Sequence, residues 1–215
     1  MSVTPAKENI LKRIRQALSN PVPLPFPQSE GNNAVFHHAS DSLDVVFAQE
    51  FTNMQGKFVF CISEAEMLQQ LEHLIAQKQW QKIYCNTDKW NARFSNTINL
   101  PGCDASITDC EFLVARTGTI VMSAAQQSGR TVSVYAPIHI CIAYTSQLVY
   151  DVKDALQLLK EKYARPDDAV GQAVNIPSLI TFATGPSRTA DIEKTLVTGV
   201  HGPKEVYCFL VEAQQ

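Results

Sequence analysis

The feature that most limits the folds open to this chain is an alternation of short apolar runs with helical stripes, regular from Asp41 onward. Asp41 to Met54 sets Leu43, Val46, Phe47, Phe51 and Met54 at helical spacing. Phe58 to Ile62 is a wholly apolar run of strand length. Ser63 and Glu66 form a capping box ahead of Met67, Leu68, Leu71, Leu74 and Ile75. Lys82 to Cys85 is a second short strand, and Asn86-Thr87-Asp88 starts a further helical turn. Such an order predicts βαβ units and an α/β fold, a mainly parallel open sheet flanked by helices.

The middle third changes character. Phe112 to Ala115 and Thr119 to Met122 are strand-like runs around Arg116-Thr117-Gly118, and Val132 to Tyr135 and Ile138 to Tyr144 follow, separated by Ala136-Pro137. Between them lies the polar loop Gln126 to Arg130. Strands this closely spaced predict an antiparallel hairpin or edge added to the parallel sheet. Asp151 to Tyr163 returns to helix, with Arg165 to Asp168 as a connector. Leu179 to Ala183 is expected as a buried strand ending at Gly185-Pro186, and Glu205 to Val211 as the last strand.

Ahead of this domain, Thr4-Pro5 supplies a capping hydroxyl and a proline suited to the first helical position. Ile10, Leu11, Ile14, Ala17 and Leu18 form an apolar stripe opposite Lys12, Arg13 and Arg15, and the helix is expected to stop by Asn20-Pro21. The alternating prolines of Pro21 to Pro27 favour a stiff polyproline spacer. The organisation expected is therefore residues 1–33 as helix and spacer and residues 34–215 as one α/β domain. The helix can lie over its own core, over a second copy in a homo-oligomer, or on a different partner.

A chain of 215 residues buries about 70% of its unfolded surface on folding, so neither metal nor disulfide is needed for a core. A net charge of −3 argues against a general nucleic-acid or membrane-surface binder. No signal-peptide pattern and no membrane-length apolar run is present, which leads to a cytoplasmic expectation. Cys61, Cys85, Cys141 and Cys208 sit in or beside strand-like runs, and Cys103 and Cys110 lack the close pairs of cluster or zinc ligands. All six are expected as reduced core thiols, with no metal bound.

The densest polar chemistry follows the Leu179 run. Gly185, Pro186 and Ser187 make a turn whose backbone amides, with the Ser187 and Thr189 hydroxyls and Arg188, can cradle a small carboxylate or phosphate. Ser187 can equally be a simple turn cap. Asp191 and Glu193 share a face if extended, as an ion-pair anchor or as proton acceptors. His201, between Val200 and Gly202-Pro203, is either a proton shuttle or a backbone tie between loops. Thr117, Gly118 and Thr119 offer close backbone approach and two hydroxyls, and Arg130 a cation; both also suit plain hairpin chemistry. His139 fits a satisfied core histidine, and His37 and His38 have no further metal ligands nearby in sequence. No phosphate-loop or dinucleotide glycine signature is present.

Three phrases in order, F-L-V-A-R-T-G-T-I-V-M-S-A, S-G-R-T-V-S-V-Y-A-P-I-H-I and G-P-S-R-T-A-D-I-E followed by G-V-H-G-P, resemble the LUD-domain family, most closely its lactate-utilisation protein C branch. The resemblance runs from about Asp41 to the C-terminus. It implies a fold related to the sugar-phosphate isomerase and coenzyme A transferase superfamily. It also implies a part in oxidising L-lactate to pyruvate beside two partner proteins, one carrying iron–sulfur clusters, with this chain as the cluster-free component. Related sequences carry an acid just before T-G-T where this chain has Arg116, so carboxylate chemistry at that position does not carry over. Two other functions compete with that role: a stand-alone isomerase or acyl-transfer enzyme, and a non-catalytic assembly protein.

Overall fold

The computed structural model describes residues 5–19, 41–91, 93–94, 100–164, 176–189 and 197–213. The chain divides into two units, Met1–His37 and His38–Gln215. In the first, α1 (Pro5–Ser19) runs over the expected stretch and exposes Ile10, Leu11 and Ile14. Thr4, the proline run 21–27, His37 and His38, and the 165–168 connector lie outside the described residues.

The second unit is built on a five-stranded parallel sheet. Its order is β1 (Lys57–Cys61), β11 (Glu205–Val211), β6 (Ile138–Tyr144), β3 (Ala105–Thr108) and β2 (Ile83–Cys85), with strands numbered along the chain. Helix α3 (Glu64–Lys78) carries the chain from β1 at one edge to β2 at the other. Ser63 Oγ accepts the Glu66 amide at 3.2 Å, as expected. The returning bond comes from the Ile62 amide to the Glu66 carboxylate at 2.8 Å, one residue earlier than a capping box has it.

Strands β6 and β11 are buried on both faces, which parallel strands covered by helices require. Ile138, Ile140 and Ile142 with Tyr207, Phe209 and Val211 pack against Met67 and Leu71 of α3. The alternate residues Cys141, Ala143, Val206, Cys208 and Leu210 pack on the opposite side against Phe47 and Phe51 of α2 (Leu43–Asn53) and against a second sheet. That sheet has the order β7 (Leu148–Val149), β4 (Phe112–Val114), β5 (Thr119–Ser123), β8 (Ile180–Ala183). Its far face packs on Ala155 and Leu159 of α5 (Val152–Tyr163). The expected hairpin is present as the antiparallel β4–β5 pair, but it builds this separate sheet rather than extending the parallel one.

Three further elements differ from the sequence reading. Strand β8 is not buried: it is the outer strand beside β5, with Phe182 41% exposed and Leu179, just before the strand, 39% exposed. Val132–Tyr135 is a helical turn, α4, because the Thr131 carbonyl accepts the Val134 and Tyr135 amides, and it leaves Tyr135 63% exposed. Strand β3, Ala-Ser-Ile-Thr, carries no apolar run to announce it, yet every residue is buried. Its polar groups are satisfied inside: Ser106 Oγ donates to the Val132 carbonyl at 2.9 Å and Thr108 Oγ1 pairs with His139 Nε2 at 2.8 Å. His139 is thus the satisfied core histidine expected, and burial pushes its pKa down to about 4. All six cysteines are free and buried.

Gly118 fixes where the second sheet meets α2. Its φ is +57°, and a Cβ there would stand 2.4 Å from the Phe51 backbone nitrogen. Gly118→Ala is therefore expected to cost at least about 2 kcal/mol, read as a lower denaturant midpoint with an unchanged slope.

Candidate active site at the carboxyl edge of the parallel sheet

The turn singled out in the sequence forms at the amino-terminal end of the parallel sheet. The Lys204 amide donates to the Pro137 carbonyl at 2.7 Å, tying the loop before β11 to the residue before β6. Ser187 lies against that loop: its amide donates to the Pro203 carbonyl at 2.9 Å, and its carbonyl accepts the Gly199 amide at 2.9 Å. A Cβ on Gly202 would stand 2.9 Å from the Ser187 Cβ. The His201 loop and the 185–189 turn thus meet through Gly202 and backbone. Arg188 and Thr189 form β9 (Arg188–Thr189), antiparallel to β10 (Val197–Thr198). Arg188 is exposed, with Nη2 3.5 Å from Met54 Sδ, and Pro186 is buried. Exposed His201 joins Tyr135 and Lys204 in lining an open cavity of about 470 Å³. Asp191 and Glu193 lie outside the described residues.

The two predicted turns do converge, on the C-terminal end of α2. Gly118 packs on Phe51, and Gly185, at φ +76°, would put a Cβ 2.3 Å from the Met54 carbonyl oxygen. Between them the hydroxyls of Thr117, Thr119 and Thr184 form a chain, 2.8 Å and then 2.7 Å apart. This arrangement clamps α2 between the ends of β5 and β8. Arg130 is not part of it: Nη2 donates to Ser178 Oγ at 2.5 Å, just before the start of β8 and so at the end away from Gly185. Arg116 pairs with Asp151, the N-cap of α5, at 2.7 Å.

Open α/β sheets bind ligands outside the carboxyl ends of their parallel strands. Here those ends carry a set of residues that the sequence reading passed over. Asp109 and Glu111 follow β3, Thr87 follows β2, Tyr144 ends β6, and Lys162 and Tyr163 end α5. Asp109, Thr87, Lys89, Tyr144, Lys162 and Tyr163 all line one cavity of about 450 Å³. A neighbouring cavity of about 500 Å³ lies against Ser63, Glu64, Tyr144 and Glu212. Between the two, Tyr144 Oη donates to Glu64 Oε1 at 2.7 Å and accepts Lys89 Nζ at 2.6 Å, while Lys89 and Glu64 form an ion pair. The Lys89 pair and the Tyr144 hydroxyl keep Glu64 below its usual pKa. Gln127 latches the loop after β5 to this edge: it receives the Asp88 amide at 2.8 Å, and its carbonyl accepts Asn86 Nδ2 at 2.9 Å.

The two carboxylates after β3 differ in their surroundings. Glu111 has a fully buried side chain; burial opposes its charge, but Lys162 Nζ at 2.6 Å, Ser123 Oγ and Tyr163 Oη at 2.6 Å outweigh it and hold its pKa below the usual value. Asp109 has no such escort. Burial is the main cause that raises its pKa, with Glu111 adding to the effect and the Lys162 charge opposing it, and among the described residues its Oδ1 is buried without a hydrogen-bond partner. Thr87 Oγ1 is likewise buried and unpartnered; its hydroxyl favours the nearby Cys85 thiolate slightly, in no geometry that makes a hydrogen bond. One carboxylate whose pKa is held down beside one whose pKa is raised is the arrangement acid–base sites use. The signal in the sequence was a D-x-E directly after a buried strand, hidden because the strand itself was not legible. Among the described residues, no group of three or more His, Cys, Asp or Glu gathers as metal ligands, and no helix is long and apolar enough to cross a membrane.

Because the Glu111 pKa is depressed in the fold, its contribution is present above the ordinary value of 4.5 and lost as pH falls through the folded value. Lys162→Met leaves that buried carboxylate without its cation. A loss of about 1–3 kcal/mol at neutral pH is expected, the lysine being half exposed, and it should shrink as pH drops below 4.5 in denaturation curves.

Comparison with known proteins follows the fold. Residues 78–211 match the LUD domain family model, a span that takes in the walls of the carboxyl-edge cavity. Lactate utilization protein C of Bacillus licheniformis is 38% identical over 144 residues, covering 66% of this chain and 57% of that protein. The Bacillus subtilis protein of the same name is 35% identical over 136 residues, 62% of this chain and 54% of that one. In these alignments the chain spans little more than half the relatives' length, whereas with the Anoxybacillus flavithermus protein of that name the alignment covers 95% of this chain and 99% of the other at 26% identity. A crystal structure of a DUF162 family protein from Deinococcus radiodurans has the same fold, with a TM-score of 0.54 over 79% of this chain and 96% of that one at 17% identity. The chain belongs to the LUD-domain family.

Proposed function

We propose that this chain serves lactate utilisation, as the cluster-free component of a cytoplasmic system that oxidises L-lactate to pyruvate and hands the electrons to an iron–sulfur partner. The observation that supports the reading is the likeness, within the matched family segment, to relatives named lactate utilization protein C. The chemistry of the carboxyl edge is compatible with it. Removing hydrogen from a 2-hydroxy acid needs a group to take the hydroxyl proton, and Asp109 and Glu111 stand where parallel α/β sheets hold their ligands.

The carboxyl edge suits this role better than the 185–189 turn. At the turn the Ser187 amide, the donor a bound anion would use, already serves Pro203. The chain contributes ligand binding and proton handling, while the redox step belongs to the partner.

The purified chain is expected to show no turnover with L-lactate and an artificial electron acceptor, and to gain it on addition of the iron–sulfur partner protein. Equal turnover with and without that partner would instead favour a self-sufficient enzyme.

A further inference from the structure

Two side chains in the carboxyl-edge cavity each carry an oxygen with no hydrogen-bond partner among the described residues. Thr87 is 7% exposed and Asp109 partly exposed, and Thr87 Oγ1 and Asp109 Oδ1 are both buried without a hydrogen-bond partner. Leaving such groups unsatisfied is costly in a folded protein, and a catalytic role or a bound water, ion or ligand accounts for those that persist. The orphan atoms differ in kind, and that difference selects the ligand. A carboxylate oxygen only accepts, whereas a threonine hydroxyl donates or accepts. A carboxylate or phosphate oxygen brought to this pair would be repelled by Asp109. An ammonium would suit Asp109, but Lys89 and Lys162 line the same cavity and, although each is paired with a carboxylate, their further N–H donors favour an anionic group over a cation. A hydroxyl satisfies both, donating to Asp109 and accepting from Thr87. The second torsion of an aspartate is broad, so the carboxylate can turn either oxygen to the cavity.

We propose that this cavity binds a small hydroxylated acid, with its hydroxyl held between Asp109 and Thr87 and its anionic end among Lys89 and Lys162. The proposal deepens the function given above and rests on it only for naming L-lactate as the acid. Glu111 does not compete for the ligand, because Ser123, Lys162 and Tyr163 already occupy its oxygens. Gln127, bonded to both Asn86 and Asp88, holds the loop after β5 against the mouth and fixes that wall.

The test uses the full chain and four probes in calorimetric titration and thermal shift: L-lactate, propionate, propylene glycol and glycerol phosphate. L-Lactate is expected to bind, with propionate, which lacks the hydroxyl, and propylene glycol, which lacks the acid, each at least about tenfold weaker. Asp109→Asn and Thr87→Val should each weaken lactate by about tenfold or more while keeping the wild-type circular dichroism spectrum. Lactate and propionate binding alike would overturn the proposal, as would no binding by any probe. If lactate binds both variants as it binds wild type, and binding is lost in Arg188→Ala or His201→Ala, this site falls and the lactate reading stands. If glycerol phosphate binds in a way both variants abolish and lactate does not bind, the site stands and the lactate reading falls.

Discussion

The structure depends on two neighbouring strands, β6 and β11, being covered on both faces. A strand buried this way cannot alternate polar with apolar residues, so it reads as a near-continuous apolar run. Ile138, Ile140, Ile142, Tyr207, Phe209 and Val211 pack towards α3, and Cys141, Ala143, Val206, Cys208 and Leu210 pack towards α2 and the second sheet. That second face in turn covers Leu113, Ile120 and Met122 of the second sheet. Asp109 and Glu111 lie on the link from β3, in the first sheet, to β4, in the second, so their position follows from the same packing.

That packing also explains how the two turns rich in hydroxyls and glycine are used. Gly118 and Gly185 come within the reach of a missing methyl from the backbone at the C-terminal end of α2, and the Thr119–Thr184 bond joins them. Residues with the look of ligand chemistry serve here to bring β5, β8 and α2 together. The anchoring is polar and local, which is why a glycine-threonine pattern alone does not separate a binding turn from a structural clamp.

Much of the framework was legible because it was periodic. Helices α2, α3 and α5 and strands β1, β2, β6 and β11 stand out as stripes or unbroken apolar runs. What escaped notice was set by partners distant in sequence. Ser106 and Thr108 look like loop residues until Val132 and His139 supply their hydrogen bonds. Val132–Tyr135 has strand composition and becomes a helical turn because one carbonyl, that of Thr131, takes two amides. The carboxyl-edge residues were hidden for the same reason: Asp109, Thr87 and Lys162 come from three stretches of chain that meet only once β2, β3 and α5 are in place.

The six buried thiols have a practical consequence. Burial raises the pKa of Cys61 to about 11 and also raises that of Cys85 and Cys103, while contacts among the clustered thiols together with burial raise Cys110 and Cys141. In the native molecule burial shields all six from an alkylating reagent, and the five with raised pKa hold little thiolate for it to capture. Labelling by such a reagent then counts opened molecules, so the protein carries its own gauge of local and global unfolding without any added dye.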